Sequence, residues 1–237
     1  MSEDPATASR RAELADRLGA VHARIRSAMV AAGRTDEPAL VVVTKFFRAS
    51  DVDLLAELGV TAIGENRDQE ASAKCAVLAH RDQLAVHFIG QLQSNKAASV
   101  AHYADVVQSV DRAKVLRALD RGALQAGRRL DVTVQVSLDE AEGRGGAAPA
   151  EARGLADLVA ACESLTLRGV MAVAPLGGEP RAAFARLREV ADGIRADHPQ
   201  ATWISAGMSG DLEDAVAEGA THLRVGSAIL GSRESHR

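Results

Sequence analysis

What most constrains the fold of this chain is a repeat in which short apolar runs, each closed by a polar or glycine-containing loop, alternate with alanine- and leucine-rich amphipathic segments. The runs fall at 40–44, 60–63, 85–89, 105–109, 131–136, 166–171, 201–205 and 221–225, eight in all. Between them, helical periodicity is read at 50–58, 66–79, 94–102, 111–126, 149–163, 180–197 and 210–218. Parallel strands need a crossover connection, so strict alternation predicts a parallel sheet covered by helices. Eight such units predict an α/β fold, a single (β/α)8 TIM-type barrel. A doubly wound open sheet is the alternative. Ahead of the first run, Leu14, Leu18, Val21, Ile25, Ala28 and Met29 recur at spacings of three and four over 8–32, one face of an N-terminal helix ended by Gly33. No Pro/Gly-rich linker divides the 237 residues, so one domain over 1–237 is expected, with residues 1–8 disordered.

The first run, Leu40-Val41-Val42-Val43-Thr44-Lys45, follows Pro38 and ends on a lysine, with Phe46, Phe47 and Arg48 next. The C-terminal strand ends of a parallel barrel form its ligand face, so an amine there is a candidate nucleophile. The bland reading is a lysine that snorkels to solvent. Only four of the 28 basic residues are lysines, Lys45, Lys74, Lys96 and Lys114, so the choice of amine is short.

The other strand ends offer Glu65 and Asn66, Gly90-Gln91, Ser109, Met171, Ser205 with Gly207-Met208-Ser209-Gly210, and Arg224 with Gly226-Ser227. Glycine-serine loops after the seventh and eighth strands suit a phosphate, because free backbone N–H groups can approach an anion there. Ser209 as a simple helix cap is the competing reading, and Asp211 and Glu213 would repel a dianion unless they face away. Arg224 interrupts an apolar run, and a buried guanidinium needs a partner, either a carboxylate such as Glu65 or an acceptor on a ligand. A mouth lysine, a phosphate cup and an arginine between them would suit an aldehyde cofactor with a phosphate arm, which is pyridoxal 5'-phosphate.

Other classes are excluded by what is missing. Net charge is −4 without a block of like charges, and four Phe, one Tyr and one Trp are too few for base stacking, so no nucleic-acid partner is expected. No 18-residue apolar run could span a membrane, and Arg10-Arg11 is followed by an amphipathic stretch rather than a signal's apolar region. Cys75 and Cys162 are isolated and lack metal-ligand spacing, which fits reduced thiols and a cytoplasmic location. No zinc motif, nucleophile elbow or P-loop occurs, so no metal is expected. Gly143-Arg144-Gly145-Gly146-Ala147-Ala148 matches a loose dinucleotide fingerprint, but the next strand ends Val170-Met171-Ala172-Val173-Ala174-Pro175, without the ribose-binding carboxylate. His87, between Val86 and Phe88, reads as a satisfied core histidine.

Several motifs together resemble one family, the YggS/PROSC-type pyridoxal-phosphate homeostasis proteins, whose fold is similar to the N-terminal barrel of alanine racemase. They are Val43-Thr44-Lys45, Gly64-Glu65-Asn66-Arg67-Asp68-Gln69-Glu70, His87-Phe88-Ile89-Gly90-Gln91-Leu92-Gln93-Ser94-Asn95-Lys96, Ser109-Val110-Asp111-Arg112, Leu167-Arg168-Gly169-Val170-Met171, Gly207-Met208-Ser209-Gly210-Asp211-Leu212 and Arg224-Val225-Gly226-Ser227-Ala228-Ile229-Leu230-Gly231. They run from the first strand to the last turn. The resemblance implies that Lys45 forms a Schiff base with the cofactor and that Arg224 faces the pyridine nitrogen. It further implies that Ser209, Gly226 and Ser227 hold the phosphate, and that Asn66, Met171, Ser205 and Met208 line the pocket. This chain departs from many relatives at Phe47 and Arg48, at Val86 and at Gln108.

The enzymatic alternative is a racemase of the alanine-racemase-like barrel type. Such enzymes resemble two-domain proteins whose second domain supplies a tyrosine base, whereas the one tyrosine here, Tyr103, precedes the fourth strand. An arginine at the ring nitrogen would also weaken the cofactor as an electron sink. The expectation is therefore a carrier without catalytic residues, a monomer that stores pyridoxal phosphate reversibly and delivers it to apo pyridoxal-phosphate enzymes.

Overall fold

The structure is a computed structural model that describes residues 4–139 and 145–231. Strands β1 (Ala39–Val43), β2 (Ala62–Glu65), β3 (Ala85–Phe88), β4 (Val106–Val110), β5 (Leu130–Gln135), β6 (Leu165–Met171), β7 (Trp203–Ser205) and β8 (His222–Val225) form a closed barrel in chain order. Every neighbouring pair is parallel, and closure comes from β1 against β8, with Ala39 opposite His222 and Val42 opposite Val225. That pairing decides for the barrel over the open sheet.

The outer layer comprises α1 (Pro5–Ala31), α2 (Ala49–Glu57), α3 (Asp68–Cys75), α4 (Ala97–Tyr103), α5 (Ala113–Gln125), α6 (Pro149–Ala160), α7 (Pro180–Asp197), α8 (Leu212–Ala217) and a final turn α9 (Ser227–Leu230). Of the boundaries that differ from the sequence reading, three matter here. Helix α1 starts at Pro5, whose fixed φ suits a first helical position, so residues 5–8 are helical rather than disordered. Strand β2 is displaced from 60–63 to Ala62–Glu65, bringing Gly64 and Glu65 into register with His87 and Phe88. Gly64 belongs in the strand because the interior is crowded there: a β-carbon would lie 3.2 Å from Ile89 and 3.3 Å from Val41. The third boundary is α3, which stops at Cys75 instead of reaching 79. Of the dinucleotide-like loop, residues 143 and 144 lie outside the described residues, and the register that matters for it, β5 to β6, belongs to a closed barrel.

Alternation along the strands separates two layers. Val42, Ile63, Val86, Val107 and Val132 face the helices and join Leu55, Leu119, Leu155 and Leu187 in one outer core. A strand covered on both faces reads as a continuous apolar run, which is why β1 is Ala-Leu-Val-Val-Val. The other face points into the barrel, where the side chains are unexpectedly polar.

Helix α1 closes the structure. It buries Leu14, Leu18, Val21, Ile25, Ala28 and Met29 and packs on α2, α8 and α9. Arg10 and Arg24 of α1, with Arg34 just beyond it, donate to backbone carbonyls: Arg10 to that of Leu230 in α9, Arg24 to that of Ser209, and Arg34 to those of Val216 in α8 and Ala220. The helix therefore braces the loops that follow β7 and β8. Among the described residues no helix is long and apolar enough to cross a membrane.

If α1 is part of the core rather than an appendage, Leu14→Ala should cost about 2–5 kcal/mol of unfolding free energy. Urea denaturation would measure it. The control is Val30→Ala on the same helix, 81% exposed, which should change little; equal effects would show that α1 is not integral.

Candidate functional site

Strand direction carries Lys45, Asn66, Met171, Ser205, Met208, Ser209, Arg224, Gly226 and Ser227 to the C-terminal end of the barrel. Lys45, Asn66, Ser209 and Gly226 are half-buried, Met208 and Ser227 are exposed, and Met171, Ser205 and Arg224 are buried. A groove of about 1270 Å³ runs from the Lys45 turn between α1 and α2, lined by Arg10, Phe46, Phe47, Arg48 and Glu70 among others. A second hollow, about 440 Å³, opens beside Asn66 and is floored by Phe88.

Inside the barrel, four strands contribute one chain of hydrogen bonds. Arg224 on β8 donates to Ser205 Oγ (2.6 Å) on β7, Ser205 donates to Gln108 Oε1 (2.8 Å) on β4, and Gln108 Nε2 lies 2.8 Å from His87 Nδ1 on β3. Burial, with the His222 and Arg224 charges adding to it, pulls His87 down to about 3. The ring is thus neutral, and because the Gln108 amide turns its Nε2, which can only donate, toward it, Nδ1 is the acceptor and the chain runs in one direction from Arg224 to His87. Ser205 has spent its proton on Gln108, so toward Arg224 it can only accept. Below this layer Trp203 packs 4.1 Å from His222, which burial pulls down to about 4.

Arg224 makes its second bond to the Ala172 carbonyl (2.7 Å). Burial lowers it to about 10, opposed by the charge of Asp211, so it remains a cation at neutral pH. Of the two partners the sequence left open for Arg224, the carboxylate of Glu65 is not bonded to it. Glu65 instead accepts from Lys74 Nζ (2.7 Å) and Thr44 Oγ1 (2.6 Å), and burial raises its carboxyl while Lys74 opposes that. Alternation along β2 turns Glu65, like Phe88 beside it, toward the helix layer and Lys74 of α3, whereas Arg224 points into the barrel.

The turn that carries Lys45 is unusual in its backbone. Phe46 has φ 72°, the one non-glycine residue with positive φ among those described. For a bulky residue that conformation costs about 1–3 kcal/mol and persists only where its surroundings enforce it. The enforcing contacts are a bond from Lys74 Nζ to the Thr44 carbonyl (2.9 Å), one from the Phe46 N–H to Glu70 Oε1, and the Arg67 guanidinium 5.3 Å above the Phe46 ring.

At the other side of the mouth, Ser227 Oγ donates to Ser209 Oγ (3.2 Å), which also accepts from the Ala228 N–H (3.4 Å). Gly226 allows this approach: a β-carbon would lie 2.9 Å from the Val43 carbonyl. Of the two carboxylates that would repel an anion unless they face away, Glu213 does so, whereas the charge of Asp211 still reaches Arg224. Asp211 accepts from the Met208 N–H (2.6 Å), and Glu213 turns outward into a two-bond pair with Arg24 of α1, which holds its carboxyl low.

The sequence names Gln108, Lys74 and Glu70 without giving any of them a place in the site. The last two form an i,i+4 pair on α3 (3.3 Å), a spacing visible in the sequence. Gln108 had no local signal, since an amide among valines acquires meaning only from its neighbours across the barrel.

Known proteins resemble this chain in sequence and in fold. The family described as alanine racemase, N-terminal domain, matches residues 17–234. The chain is 42% identical to a pyridoxal phosphate homeostasis protein of Mycobacterium tuberculosis over 94% of both chains. It is 44% identical to a protein of the same name from Corynebacterium glutamicum, over 82% of this chain and 90% of that one. The structure of PipY of Synechococcus elongatus with PLP bound superposes with a TM-score of 0.80 at 34% identity, over 92% of this chain and all (100%) of that one. Alanine racemase of Streptomyces coelicolor shares the fold at 20% identity and a TM-score of 0.74, and this chain covers 59% of it.

The two buried histidines predict a pH dependence. Unfolded, each protonates below its ordinary value of 6.5, whereas the native rings stay neutral until about 3 and 4. The unfolded state therefore binds more protons in that window, and stability falls as pH drops from 6.5 toward 4. Urea midpoints across this range should decline, and His222→Gln should flatten the slope; an unchanged slope would mean that His222 is charged in the native barrel.

Proposed function

The chain belongs to the alanine racemase N-terminal domain family and, within it, to the pyridoxal phosphate homeostasis proteins, and from that premise we propose that it binds pyridoxal 5'-phosphate and holds it reversibly for delivery. Lys45 takes the aldehyde, Arg224 faces the pyridine nitrogen, and Ser209, Gly226 and Ser227 receive the phosphate. Asn66, Met171, Ser205 and Met208 line the pocket. When bound, the cofactor supplies an aldehyde that condenses with an amine and, in enzymes, a ring that accepts electrons.

The observation that carries this reading is Arg224: a buried cation at the mouth whose two bonds go to a hydroxyl and a carbonyl, with Asp211 the carboxylate that acts on it without bonding to it. A ring nitrogen would supply an uncharged acceptor there. The serine pair suits the phosphate as well: Ser209 and Ser227 bring two hydroxyls and the Ala228 N–H together, beside a Gly226 that packs against Val43 where a β-carbon would not fit.

Holding rather than turnover follows from what surrounds the site. Arg224 stays a cation and donates, which opposes a proton on the ring nitrogen and so weakens carbanion chemistry. Tyr103, the sole tyrosine, is the last residue of α4, buried ahead of β4, and burial pushes its phenol up. It cannot serve as a base at the mouth. The recipients we propose are apo forms of pyridoxal-phosphate enzymes, served by a monomer in the cytoplasm; unbridged cysteines support a reducing compartment.

The protein mixed with pyridoxal phosphate should develop a visible absorption band, and borohydride should attach the cofactor to Lys45; Lys45→Ala should lose both. Persistence of the adduct in that variant would refute the assignment. Ser209→Ala and Ser227→Ala should each remove a charge-assisted hydrogen bond of about 1.5–3 kcal/mol, roughly tenfold or more in dissociation constant, read by fluorescence titration. Rapid racemisation of a free amino acid by the loaded protein would overturn the carrier reading.

A further inference from the structure

A reactive side chain on a turn is aimed by the two peptide groups that flank it. At Lys45 both end on one cluster of side chains from β2 and α3. On the N-terminal side, the Thr44 carbonyl accepts from Lys74 Nζ at 2.9 Å. On the C-terminal side, the Phe46 N–H donates to Glu70 Oε1. Lys74 ties the two together, 2.7 Å from Glu65 Oε1 and 3.3 Å from Glu70 Oε1, while Thr44 Oγ1 reaches the same Glu65 oxygen at 2.6 Å.

We propose that Glu70 and Lys74 are positioning residues for Lys45, holding the peptide planes on either side of it so that its amine meets the cofactor aldehyde in a reactive orientation. The inference rests on the reading of Lys45 as the covalent site. Two features set this cluster apart from an ordinary surface clasp. Lys74 and Glu65 are buried, at 5% and 0% side-chain exposure, and Glu65 Oε2 is left without a hydrogen-bond partner. A turn that only needed its backbone satisfied could use water, at no desolvation cost. The second feature is Phe46, kept at φ 72° by this same set of contacts. Relaxing it would rotate the peptide that follows Lys45 and swing the lysine stem.

The step affected is a condensation: the amine nitrogen adds to the aldehyde carbon, a C=N bond forms and one water leaves. Positioning should therefore alter covalent capture and spare non-covalent binding. Pyridoxine 5'-phosphate shares the ring and the phosphate but carries an alcohol in place of the aldehyde, so it separates the two.

The test uses the full chain and three proteins: the unaltered one, Glu70→Ala and Glu70→Gln. Glu70 is 26% exposed, so its loss leaves the core packed; melting curves verify folding. Glu70→Ala should slow the appearance of the visible band with pyridoxal phosphate by about tenfold to a hundredfold, the scale of a misplaced reactive group. Its affinity for pyridoxine 5'-phosphate should stay within about twofold. Glu70→Gln, which keeps the acceptor for the Phe46 N–H, should recover most of the rate. Equal rates in Glu70→Ala and the unaltered protein would overturn the proposal. So would a parallel loss of pyridoxine phosphate affinity, which marks a collapsed pocket, or a failure of Glu70→Gln to recover, which marks a charge effect. If the unaltered protein binds pyridoxine phosphate but never develops the band, the covalent reading of Lys45 itself fails.

Discussion

The hydrogen-bonded closure of β1 on β8 is the constraint from which the site follows. It puts the first and last strands side by side, with Val41 opposite Arg224 and Val42 opposite Val225. The turn after β1 and the turn after β8 then emerge together, and Gly226 comes within a β-carbon's reach of the Val43 carbonyl. The Lys45 amine and the Ser209–Ser227 pair, from opposite ends of the chain, can share one mouth only because the sheet has no edges. Helix α1 secures the same region from outside, its arginines tied to the backbone after β7 and β8 and to the carboxylate of Glu213.

Closure also sets a difficulty that the interior solves. Barrels of this kind are ordinarily filled with branched apolar side chains, yet this one buries Arg224, Ser205, Gln108, His87, Thr133 and His222. A buried polar network is tolerable when each member is satisfied and costly when one is not. Here donors and acceptors match from the neutral His87 through to the Arg224 guanidinium, and Thr133 donates to the Gln108 carbonyl. The guanidinium is thereby oriented toward the mouth without a carboxylate that would satisfy it internally, and it keeps capacity for an acceptor on a ligand.

The two sides of the mouth differ in how they are held. On the β7–β8 side the loops are short, glycine-rich and braced by α1. The β1–β2 side depends on buried charge, with Lys74 between two glutamates and a phenylalanine in a left-handed turn. Such an arrangement concentrates strain and desolvation next to the one residue whose aim matters. Lys45, Arg224 and the serine pair are then three separately supported groups, and substitutions in one support need not disturb the others.

Much of this was legible in the chain itself. Strand and helix periods are local properties, so the eight-unit alternation, the apolar face of α1 and the place of Lys45 at a strand end could be read directly from residue order. Boundaries governed by packing could not: Gly64 reads as a loop residue, and only the crowding of Val41 and Ile89 explains why it lies in β2. Hydrogen-bond partners were further out of reach. The sequence shows that Arg224 requires a partner because charge burial is costly at any site, and it determined that much alone. That the partners are Ser205 and Ala172 rather than Glu65, and that Glu65 with Lys74 instead holds the turn around Lys45, was decided by barrel register, which sets which strand ends lie within about 3 Å of one another.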